Sequence, residues 1–399
     1  MTIHILILGG GAAGILTALK LSAIKSKYGL EVTLVDPKTY FEYTPGIVAV
    51  LGTPLDKLEK KYQEITQDYQ ELLGSWGVNF IQDEVEEVQQ SEVILKSQKR
   101  LTYTYLIVAT GSSYPSPFKP TSTETTYAER LKALKEDRAS LESASRVLCV
   151  GLGPVGIEMA GELIGTKDLS VIHGSDEVLP GIGGGRLGEK VLSVLKQNDV
   201  NLILGEKAEE KSPESFSTVR TFVTDKTRQS VEVEKVYIST GLTPNTKCLE
   251  KNFSSFLNKG FVRVNEYFQI PDHSQIFCIG DIIDIGEQKL YFTAHMQAMH
   301  LFKNITNLLA SQAKGQEPEL MPYLGVRLAM VLSIGPSRGI AFIDPVLNVV
   351  GFGRGSYIAG AMKWCIERIT MHPSTKILVN EVLYFIQKHR SPALKPKDD

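Results

Sequence analysis

The chain has 399 residues, of which 43% are hydrophobic and 22% are charged, and this length predicts two to three domains. Its formal net charge of −2 gives no electrostatic basis for binding nucleic acid. No apolar run approaches the roughly 18 residues that a transmembrane helix needs, so an integral membrane protein is not expected.

The first predicted element is a strand at the very start of the chain. Residues Ile3 to Leu8 are almost all apolar, as in a strand buried on both faces of a parallel sheet. A strand that begins at residue 3 leaves no room for a cleavable targeting peptide. Thr2 follows the initiator methionine, so the glycine that N-myristoylation requires is absent.

A glycine-rich turn follows this strand and opens a helix. Gly9 permits a sharp turn, Gly11 lets a pyrophosphate approach the backbone, and Gly14 lets the helix pack against the strand. The helix, predicted over Ala12 to Ser26, directs its free N–H groups and its positive dipole end at that pyrophosphate. The pattern predicts a dinucleotide site.

An acidic residue completes this first unit. The next strand, Glu31 to Val35, ends at Asp36, at the distance expected for the carboxylate that binds a ribose hydroxyl. Lys38 follows two residues later and has two interpretations: it reaches a phosphate or the ribose, or it is a solvated loop lysine. Beyond it, residues Glu42 to Leu72 predict a helical stretch, and Val78 to Leu95 predict short strands with polar breaks.

The glycine pattern returns about 140 residues later. Arg146 to Val150 form a strand, and Gly151, Gly153 and Gly156 repeat the spacing of the first turn. We place Glu158 in the first turn of the next helix, where a carboxylate stabilises the helix dipole.

The end of the following strand departs from the first unit. Leu169 to Ile172 form the strand, and His173 stands where the first unit has Asp36. A missing carboxylate removes both a hydrogen bond that favours NAD and a repulsion that rejects the 2′-phosphate of NADP. The nearest arginine, Arg186, lies in a glycine-rich loop, so the choice between NADH and NADPH stays open.

Three further strands end in small-residue turns. They are Tyr105 to Ser112, Val236 to Asn245, and Gln275 to Asp281, which ends in Gly-Asp. Each alone is an ordinary strand meeting a turn, but their order around two glycine fingerprints is specific. Two dinucleotides in one chain indicate an enzyme that passes electrons from one to the other.

The four cysteines indicate a reduced, intracellular protein. Cys149, Cys248, Cys278 and Cys365 are widely separated, and Cys149 and Cys278 lie in apolar strands. No Cys-x-x-Cys pair and no Cys/His cluster is present, so neither a redox disulfide nor a metal site is expected.

These motifs together resemble the pyridine-nucleotide–disulfide-reductase superfold, in which an FAD domain is interrupted by an NAD(P)H domain. Within it the chain looks closest to the ferroptosis-suppressor and apoptosis-inducing-factor-like flavoproteins, which are similar to type II NADH:quinone dehydrogenases. The specific marks are Gly151 to Glu162, Ile172-His173, Lys289 to Ala298, and Leu332 to Gly335 followed by Gly339. The resemblance spans roughly residues 3 to 345.

The resemblance implies an α/β fold with two Rossmann-like dinucleotide-binding domains and a small C-terminal α+β domain. We divide the chain into residues 1–115 (FAD domain, first part), 116–250 (NAD(P)H domain), 251–320 (FAD domain, second part) and 321–399 (C-terminal domain).

It also implies the residues of the site. Those expected to bind FAD and NADH or NADPH are Gly9, Gly11, Ala12, Ala13, Gly14, Asp36, Lys38, Pro45, Val85, Thr110, Gly111, Asp281, Ala294, Gly151, Gly153, Pro154, Val155, Gly156, Glu158, His173 and Gly241. By resemblance Asp281 binds the ribityl chain, Phe41 to Pro45 approach the isoalloxazine, and Glu158 contacts the nicotinamide end as the catalytic residue.

The implied reaction passes a hydride from NAD(P)H to the flavin and then two electrons to an acceptor. Because no cysteine pair relays electrons, the acceptor must reach the flavin itself, and a quinone of the ubiquinone or vitamin-K type fits. Leu290 to Gln297 and Ser333 to Gly339 are the expected walls of its site. The alternatives are a reductase of a small redox protein and an NADH-sensing interaction protein like the apoptosis-inducing factors.

The C-terminal region bears on partners and location. Apolar residues recur at helical spacing, with a basic tail after them: Ile358, Ala361, Met362, Cys365, Ile366 and Ile369 with Tyr357 and Trp364, then Leu378, Val382, Phe385 and Ile386, then Lys388, His389, Arg390, Lys395 and Lys397. Such helices either lie on a membrane surface or pack on the flavin domain or a partner. We expect a monomer or homodimer, cytoplasmic or peripheral on a membrane.

Overall fold

The computed structural model describes residues 2–180, 182–211, 219–335, 339–343, 347–350 and 365–388. Two parallel sheets with helices around them dominate it, and the predicted α/β fold with two Rossmann-like units is confirmed. The division of the chain into four domains at the residues given above stays a prediction.

The first part of the chain supplies four of the six strands of the larger sheet. Its strands are β1 (Ile3–Leu8), β2 (Leu30–Asp36), β3 (Tyr40–Glu42), β4 (Thr66–Asp68), β5 (Asn79–Gln82), β6 (Val85–Val88), β7 (Glu92–Leu95), β8 (Arg100–Thr102), β9 (Tyr105–Val108) and β10 (Ser112–Ser113). Its helices are α1 (Ala12–Ser22), α2 (Lys25–Tyr28), α3 (Ile47–Gly52), α4 (Leu55–Gln63) and α5 (Tyr69–Gly74). Strands β9, β1, β2 and β5 are parallel neighbours.

The first helix is shorter than predicted. It ends at Ser22 rather than Ser26, and a separate turn, α2, follows it. The break lies at Ile24, which leaves the helical region and donates its N–H to the carbonyl of Leu21, three residues back. Helix α1 still buries nearly every residue, because the sheet covers one side and a later helix the other.

The second unit contains the elements from Tyr127 to Phe253. Its elements are α6 (Tyr127–Ser143), β11 (Arg146–Val150), α7 (Pro154–Leu163), β12 (Asp168–His173), α8 (Arg186–Lys196), β13 (Asn201–Leu204), β14 (Ala208–Glu210), β15 (Arg220–Thr224), β16 (Ser230–Val233), β17 (Lys235–Ile238), β18 (Thr243–Pro244) and α9 (Glu250–Phe253). Strands β13, β12, β11 and β17 form a four-stranded parallel sheet in that order.

The chain then returns to the first sheet. The next elements are β19 (Leu257–Asn258), β20 (Phe261–Val262), β21 (Gln269–Ile270), β22 (His273–Cys278) and α10 (Tyr291–Lys314). Strand β22 pairs parallel with β9, which gives the order β21-β22-β9-β1-β2-β5. The second unit therefore interrupts the first, as the resemblance implied.

The C-terminal region adds a three-stranded antiparallel sheet and helices. Its described elements are β23 (Ala329–Ser333), β24 (Gly339–Ile343), β25 (Leu347–Val350), α11, described over residues 365–371, and α12 (Pro373–Lys388). Helix α12 contacts α10 and α1. Among the described residues, the helices are all too short or too polar to cross a membrane.

Several sequence predictions fall outside the described residues. They concern residues 336–338 of the expected acceptor wall, then Tyr357, Ile358, Ala361, Met362 and Trp364, and His389, Arg390, Lys395 and Lys397 of the basic tail.

Candidate dinucleotide and flavin site

The two glycine turns have the same backbone geometry. Gly9 and Gly151 adopt left-handed φ values of +98° and +100°, which glycine accepts without strain. A Cβ added to Gly14 would overlap the carbonyl oxygen of Gly9, and one added to Gly156 would overlap that of Gly151. The tight turn and the close helix therefore require glycine in both units.

The middle glycine of each turn faces open space. A Cβ built on Gly11 or Gly153 would have no atom within 4 Å. These residues are the N-caps of α1 and α7, and neither helix start has a side-chain cap. The first N–H groups of a helix need an acceptor, and a pyrophosphate is one that the dipole also favours. The turns thus have the space and the donors that a dinucleotide requires.

Asp36 and His173 perform the same structural task in the two units. Asp36 Oδ2 accepts the N–H of Gly10 at 2.7 Å, and His173 Nδ1 accepts the N–H of Leu152 at 3.2 Å. Gly10 and Leu152 are equivalent positions of the two turns. Burial lowers the pKa of His173, so this residue is a neutral acceptor at the place of a carboxylate.

Lys38 is held by the acid that precedes it. Its Nζ lies 2.7 Å from Oδ1 of Asp36, and its backbone N–H bonds the same oxygen at 2.9 Å. The lysine is therefore not a freely solvated loop residue, and its contact with a phosphate or the ribose stays a prediction. It partly neutralises the carboxylate next to the glycine turn.

The two small-residue turns join the units. Thr110 Oγ1 donates to the carbonyl of Asn245 at 2.7 Å, and the N–H of Asn245 donates to the carbonyl of Gly111 at 3.0 Å. Strands β10 and β18 pair next to them. Gly241, which precedes this contact, has a left-handed φ of +129°. The sequence predicted both turns but not their contact.

Asp281 has two partners that sequence reasoning missed. Ser112 Oγ donates to Asp281 Oδ2 at 2.6 Å, and Lys119 Nζ lies 3.4 Å from the same oxygen. Lys119 also donates to the backbone carbonyl of Ser112 at 2.8 Å. Ser112 ends a predicted strand, which is a weak indication that it belongs to the site. No motif near Lys119 in the sequence marks it as a site residue.

Hydrogen bonds that involve Gln297 and Glu287 fix the turn that contains Asp281. The N–H of Gly280 donates to Gln297 Oε1 at 2.8 Å, and Gln297 Nε2 donates to Glu287 Oε2 at 2.9 Å. Glu287 also accepts the hydroxyl of Tyr323 and, at 2.7 Å, the N–H of Val326. Burial raises the pKa of Glu287.

The placement of Glu158 in the first helical turn is wrong. It is the fifth residue of α7, and the first turn contains no acid. Its Oε1 instead accepts the N–H and the hydroxyl of Ser333 at 3.0 and 3.1 Å. Helix α7 can approach this strand because a Cβ on Gly161 would lie only 2.6 Å from the nitrogen of Gly335.

The remaining predicted positions lie on separate elements. Pro45 is in the 3-10 turn Thr44–Gly46 after β3, and Val85 is the first residue of β6. Ala294 is buried near the start of α10. Ala12 and Ala13 begin α1, and Pro154 and Val155 begin α7. Their contacts with a cofactor remain predictions.

The cysteines do not form a redox pair. All four are free, and Cys149, Cys248 and Cys278 are buried. Burial raises the pKa of the Cys149 and Cys248 thiols to about 12. Cys365, on α11, is exposed.

Comparison with known proteins agrees with this geometry. A family described as pyridine nucleotide-disulphide oxidoreductase matches residues 3–299. The chain belongs to this family. It is therefore an oxidoreductase, and the predicted cofactors, FAD with NADH or NADPH, are confirmed.

The individual relatives extend the match over most of the chain. Apoptosis-inducing factor homolog A of Dictyostelium discoideum is 28% identical over 90% of this chain and 88% of its own length. Human ferroptosis suppressor protein 1 is 28% identical over 86% of this chain and 89% of its own. The sulfide:quinone oxidoreductase of Aquifex aeolicus has the same fold, with a TM-score of 0.75, 19% identity and coverage of 100% and 98% of the two chains. The predicted resemblance is confirmed.

Proposed function

We propose that this NAD(P)H-dependent flavoprotein reduces a quinone. The observation that carries the proposal is the absence of a cysteine pair: all four cysteines are free. When bound, FAD takes a hydride from NAD(P)H and releases electrons to a second substrate. With no thiols to relay those electrons, the acceptor must meet the flavin directly, which a flat quinone can do.

The name of one structural relative agrees with this acceptor. The Aquifex aeolicus protein is a sulfide:quinone oxidoreductase, and its fold covers the full length of this chain. The names of the other two relatives specify no acceptor.

We assign the first unit to FAD and the second to NAD(P)H. Gly11 would face the FAD pyrophosphate, Asp36 would bind its ribose, and Asp281, with Ser112 and Lys119, would bind the ribityl chain. The support is the pairing of Ser112, Lys119 and Asp281 at the carboxyl ends of β9 and β22, where open α/β sheets bind ligands.

In the second unit, Gly153 would face the pyrophosphate of NAD(P)H. Glu158 would contact the nicotinamide end, since this residue is only 7% exposed and its carboxylate lies at the junction of α7 and β23. The neutral His173 would not repel a 2′-phosphate, so both NADH and NADPH are candidate donors.

Helix α12 would hold the protein at a membrane surface, where lipid-soluble quinones reside. Leu378, Val382 and Phe385 form one stripe at i, i+4 and i+7, and they are 62%, 54% and 63% exposed. Large exposed apolar side chains in one patch favour an interaction surface. Replacing all three by serine should abolish co-sedimentation with anionic vesicles, whereas Leu324→Ser, an exposed leucine outside α12, should not.

Anaerobic mixing tests the central proposal. The yellow holoprotein is bleached with NADH or NADPH and then mixed with menadione, a ubiquinone analogue, ferricyanide or a small iron–sulfur protein. Rapid recovery of the oxidised spectrum with the quinones supports the proposal. Recovery only with the iron–sulfur protein would make the chain a redox-protein reductase, and no recovery with any acceptor would favour an NADH-sensing protein.

A further inference from the structure

Helix α12 has a buried face opposite its exposed one. Lys376, Asn380 and Tyr384, spaced four residues apart, are 1%, 5% and 4% exposed. A lysine ammonium is rarely buried to this degree. The helix therefore brings a cationic group into the interior, against α10 and the segment that leads to Pro45.

This ammonium lies against one member of a group of four aromatic side chains. Lys376 Nζ lies 4.5 Å from the ring centre of Phe41. The ring of His295 is 4.4 Å from that of Tyr291, which is 4.9 Å from that of Tyr43. Lys376 acts electrostatically on His295. We call these five residues, Phe41, Tyr43, Tyr291, His295 and Lys376, the Lys376 cluster.

Two polar atoms of the Lys376 cluster have no protein partner. The hydroxyl of Tyr291 and Nε2 of His295 are both buried, and neither makes a hydrogen bond within the described residues. The His295 ring does interact with the amide of Asn380. A buried polar atom without a partner is costly, so two of them side by side indicate a polar ligand.

The Lys376 cluster lies where the acceptor site is expected. Tyr291 and His295 belong to the 290–297 segment, and Phe41 and Tyr43 directly precede the turn with Pro45. Glu158 is also near the Lys376 cluster. Burial is the main cause of the raised pKa of Tyr43, and the negative charge of Glu158 is the next largest cause. The orphaned polar atoms thus belong to the first of the two candidate walls, Leu290 to Gln297.

The carboxylates around α12 are held by other cations. Glu42, beside Phe41, pairs with Arg130 at 3.0 Å, and Glu367 on α11 pairs with Lys61 at 2.9 Å.

Within the described residues, no carboxylate forms an ion pair with Lys376 either. Lys20 on α1 binds Glu381 on α12 itself. On α10 the nearby groups are Tyr291, His295 and His300, and His295 is neutral because burial lowers its pKa well below the ordinary value. Burial alone lowers the pKa of Lys376 to about 7, so its proton is available at neutral pH.

We propose that Lys376 is the proton donor of the acceptor site and that Tyr291 and His295 bind the acceptor oxygen. This inference rests on the proposed function. Reduction of a quinone to a hydroquinone takes two electrons and two protons. A hydride from the reduced cofactor accounts for both electrons and one proton; Lys376 gives the second proton to a quinone oxygen, and its neutral amine regains a proton from water.

Two acceptors separate proton delivery from electron transfer. Menadione needs protons to become a hydroquinone, whereas ferricyanide takes electrons alone. In Lys376→Met the ratio of the menadione rate to the ferricyanide rate for flavin reoxidation should fall about 100-fold, the usual contribution of a general acid. The wild-type ratio should decline as pH rises through about 7, and the variant should lack this decline. Lys314→Met, an exposed lysine at the end of α10, is the matched control.

A binding measurement adds a readout that does not depend on turnover. Equilibrium dialysis of menadione against the oxidised holoprotein should show several-fold weaker binding in Tyr291→Phe, which keeps the ring contacts and removes only the hydroxyl. FAD content verifies that each variant is assembled.

The outcomes distinguish the two levels of proposal. If the wild type is not reoxidised by any quinone, the proposed function fails and this inference fails with it. If quinones react with the wild type and Lys376→Met keeps the same acceptor ratio and pH profile, only the proton-donor role is overturned. Equal slowing with both acceptors would make Lys376 a structural residue, and unchanged menadione binding in Tyr291→Phe would remove that hydroxyl from the site.

Discussion

Replacing Lys376 by methionine should stabilise the protein at neutral pH, and the gain should fade as the pH rises. The lysine is 1% exposed, and burial lowers its pKa from 10.5 to about 7. Methionine has a similar length and carries no charge, so it fills the space beside Phe41 without the cost of desolvating an ammonium.

The pH window follows from the two pKa values. The unfolded chain keeps the Lys376 proton up to pH 10.5, whereas the folded chain keeps it only up to about pH 7. Between these values the unfolded state binds more protons, so the stability of the wild type rises with pH. The penalty is fully present below pH 7 and disappears above pH 10.5.

The magnitude follows from the same difference. A shift of about 3.5 units at about 1.36 kcal/mol per unit gives a limit of about 5 kcal/mol at low pH. Partial loss of the proton in the folded state reduces this to about 4 kcal/mol at pH 7, and at pH 9 about 2 kcal/mol remains.

Urea unfolding of the two holoproteins at pH 7, 8 and 9, followed by flavin fluorescence, measures the difference. Lys314→Met, which removes an exposed ammonium from α10, controls for the lost charge and should show no such trend. A stability difference that does not change between pH 7 and pH 9 would refute the burial of a titrating ammonium at this position. A methionine variant that is less stable at every pH would refute it as well.

Substitutions at three further residues test the assigned sites. Asp281→Ala should yield protein without FAD, because Ser112 loses the carboxylate that it bonds; a normal flavin absorbance would contradict the assignment. Glu158→Ala should keep FAD but slow its reduction by NAD(P)H in stopped flow, whereas Glu158→Gln, which still accepts from Ser333, separates the lost charge from the lost contact. His173→Asp places a carboxylate where the first unit has Asp36, so kcat/KM for NADPH should fall about tenfold or more relative to NADH; an unchanged ratio would place the 2′-phosphate elsewhere.

The glycine turns were predictable because their constraints are local. The left-handed φ of Gly9 and the contact of Gly14 with the Gly9 carbonyl lie within six residues. A sequence that satisfies these constraints contains the short glycine pattern. The second turn repeats the same constraints at Gly151 and Gly156, so the amino-acid sequence alone is enough to recognise two nucleotide units.

The partners of Asp281 were not predictable, because they are distant in sequence. Ser112 and Lys119 lie more than 160 residues before it, and only the pairing of β22 with β9 brings them together. The same holds for the contact of Glu158 with Ser333. There the local pattern led to an incorrect explanation, a helix-dipole role, since a carboxylate near a helix start usually needs no distant partner.

The C-terminal helix shows why an amphipathic pattern is ambiguous. The stripe of Leu378, Val382, Phe385 and Ile386 predicted either a buried or a membrane-facing surface, and the structure leaves the first three exposed. The buried face instead contains Lys376 and Asn380. Lysine side chains are usually exposed to solvent. The burial of Lys376 therefore follows only from how α12 packs on α10 and α1.

The different acceptors in the two units fit the proposed assignment of FAD to the first turn and NAD(P)H to the second. The N–H of Gly10 is held by a carboxylate at 2.7 Å, and the equivalent N–H of Leu152 by a neutral imidazole at 3.2 Å. Hydrogen bonds to charged acceptors are shorter and roughly twice as strong, so the first turn is the more firmly fixed of the two. A rigid turn suits a cofactor that stays bound through many turnovers. A turn held by a weaker bond, with no charge to repel a phosphate, suits a nucleotide that must bind and leave in each cycle, and this division is what an enzyme transferring electrons from NAD(P)H through FAD requires.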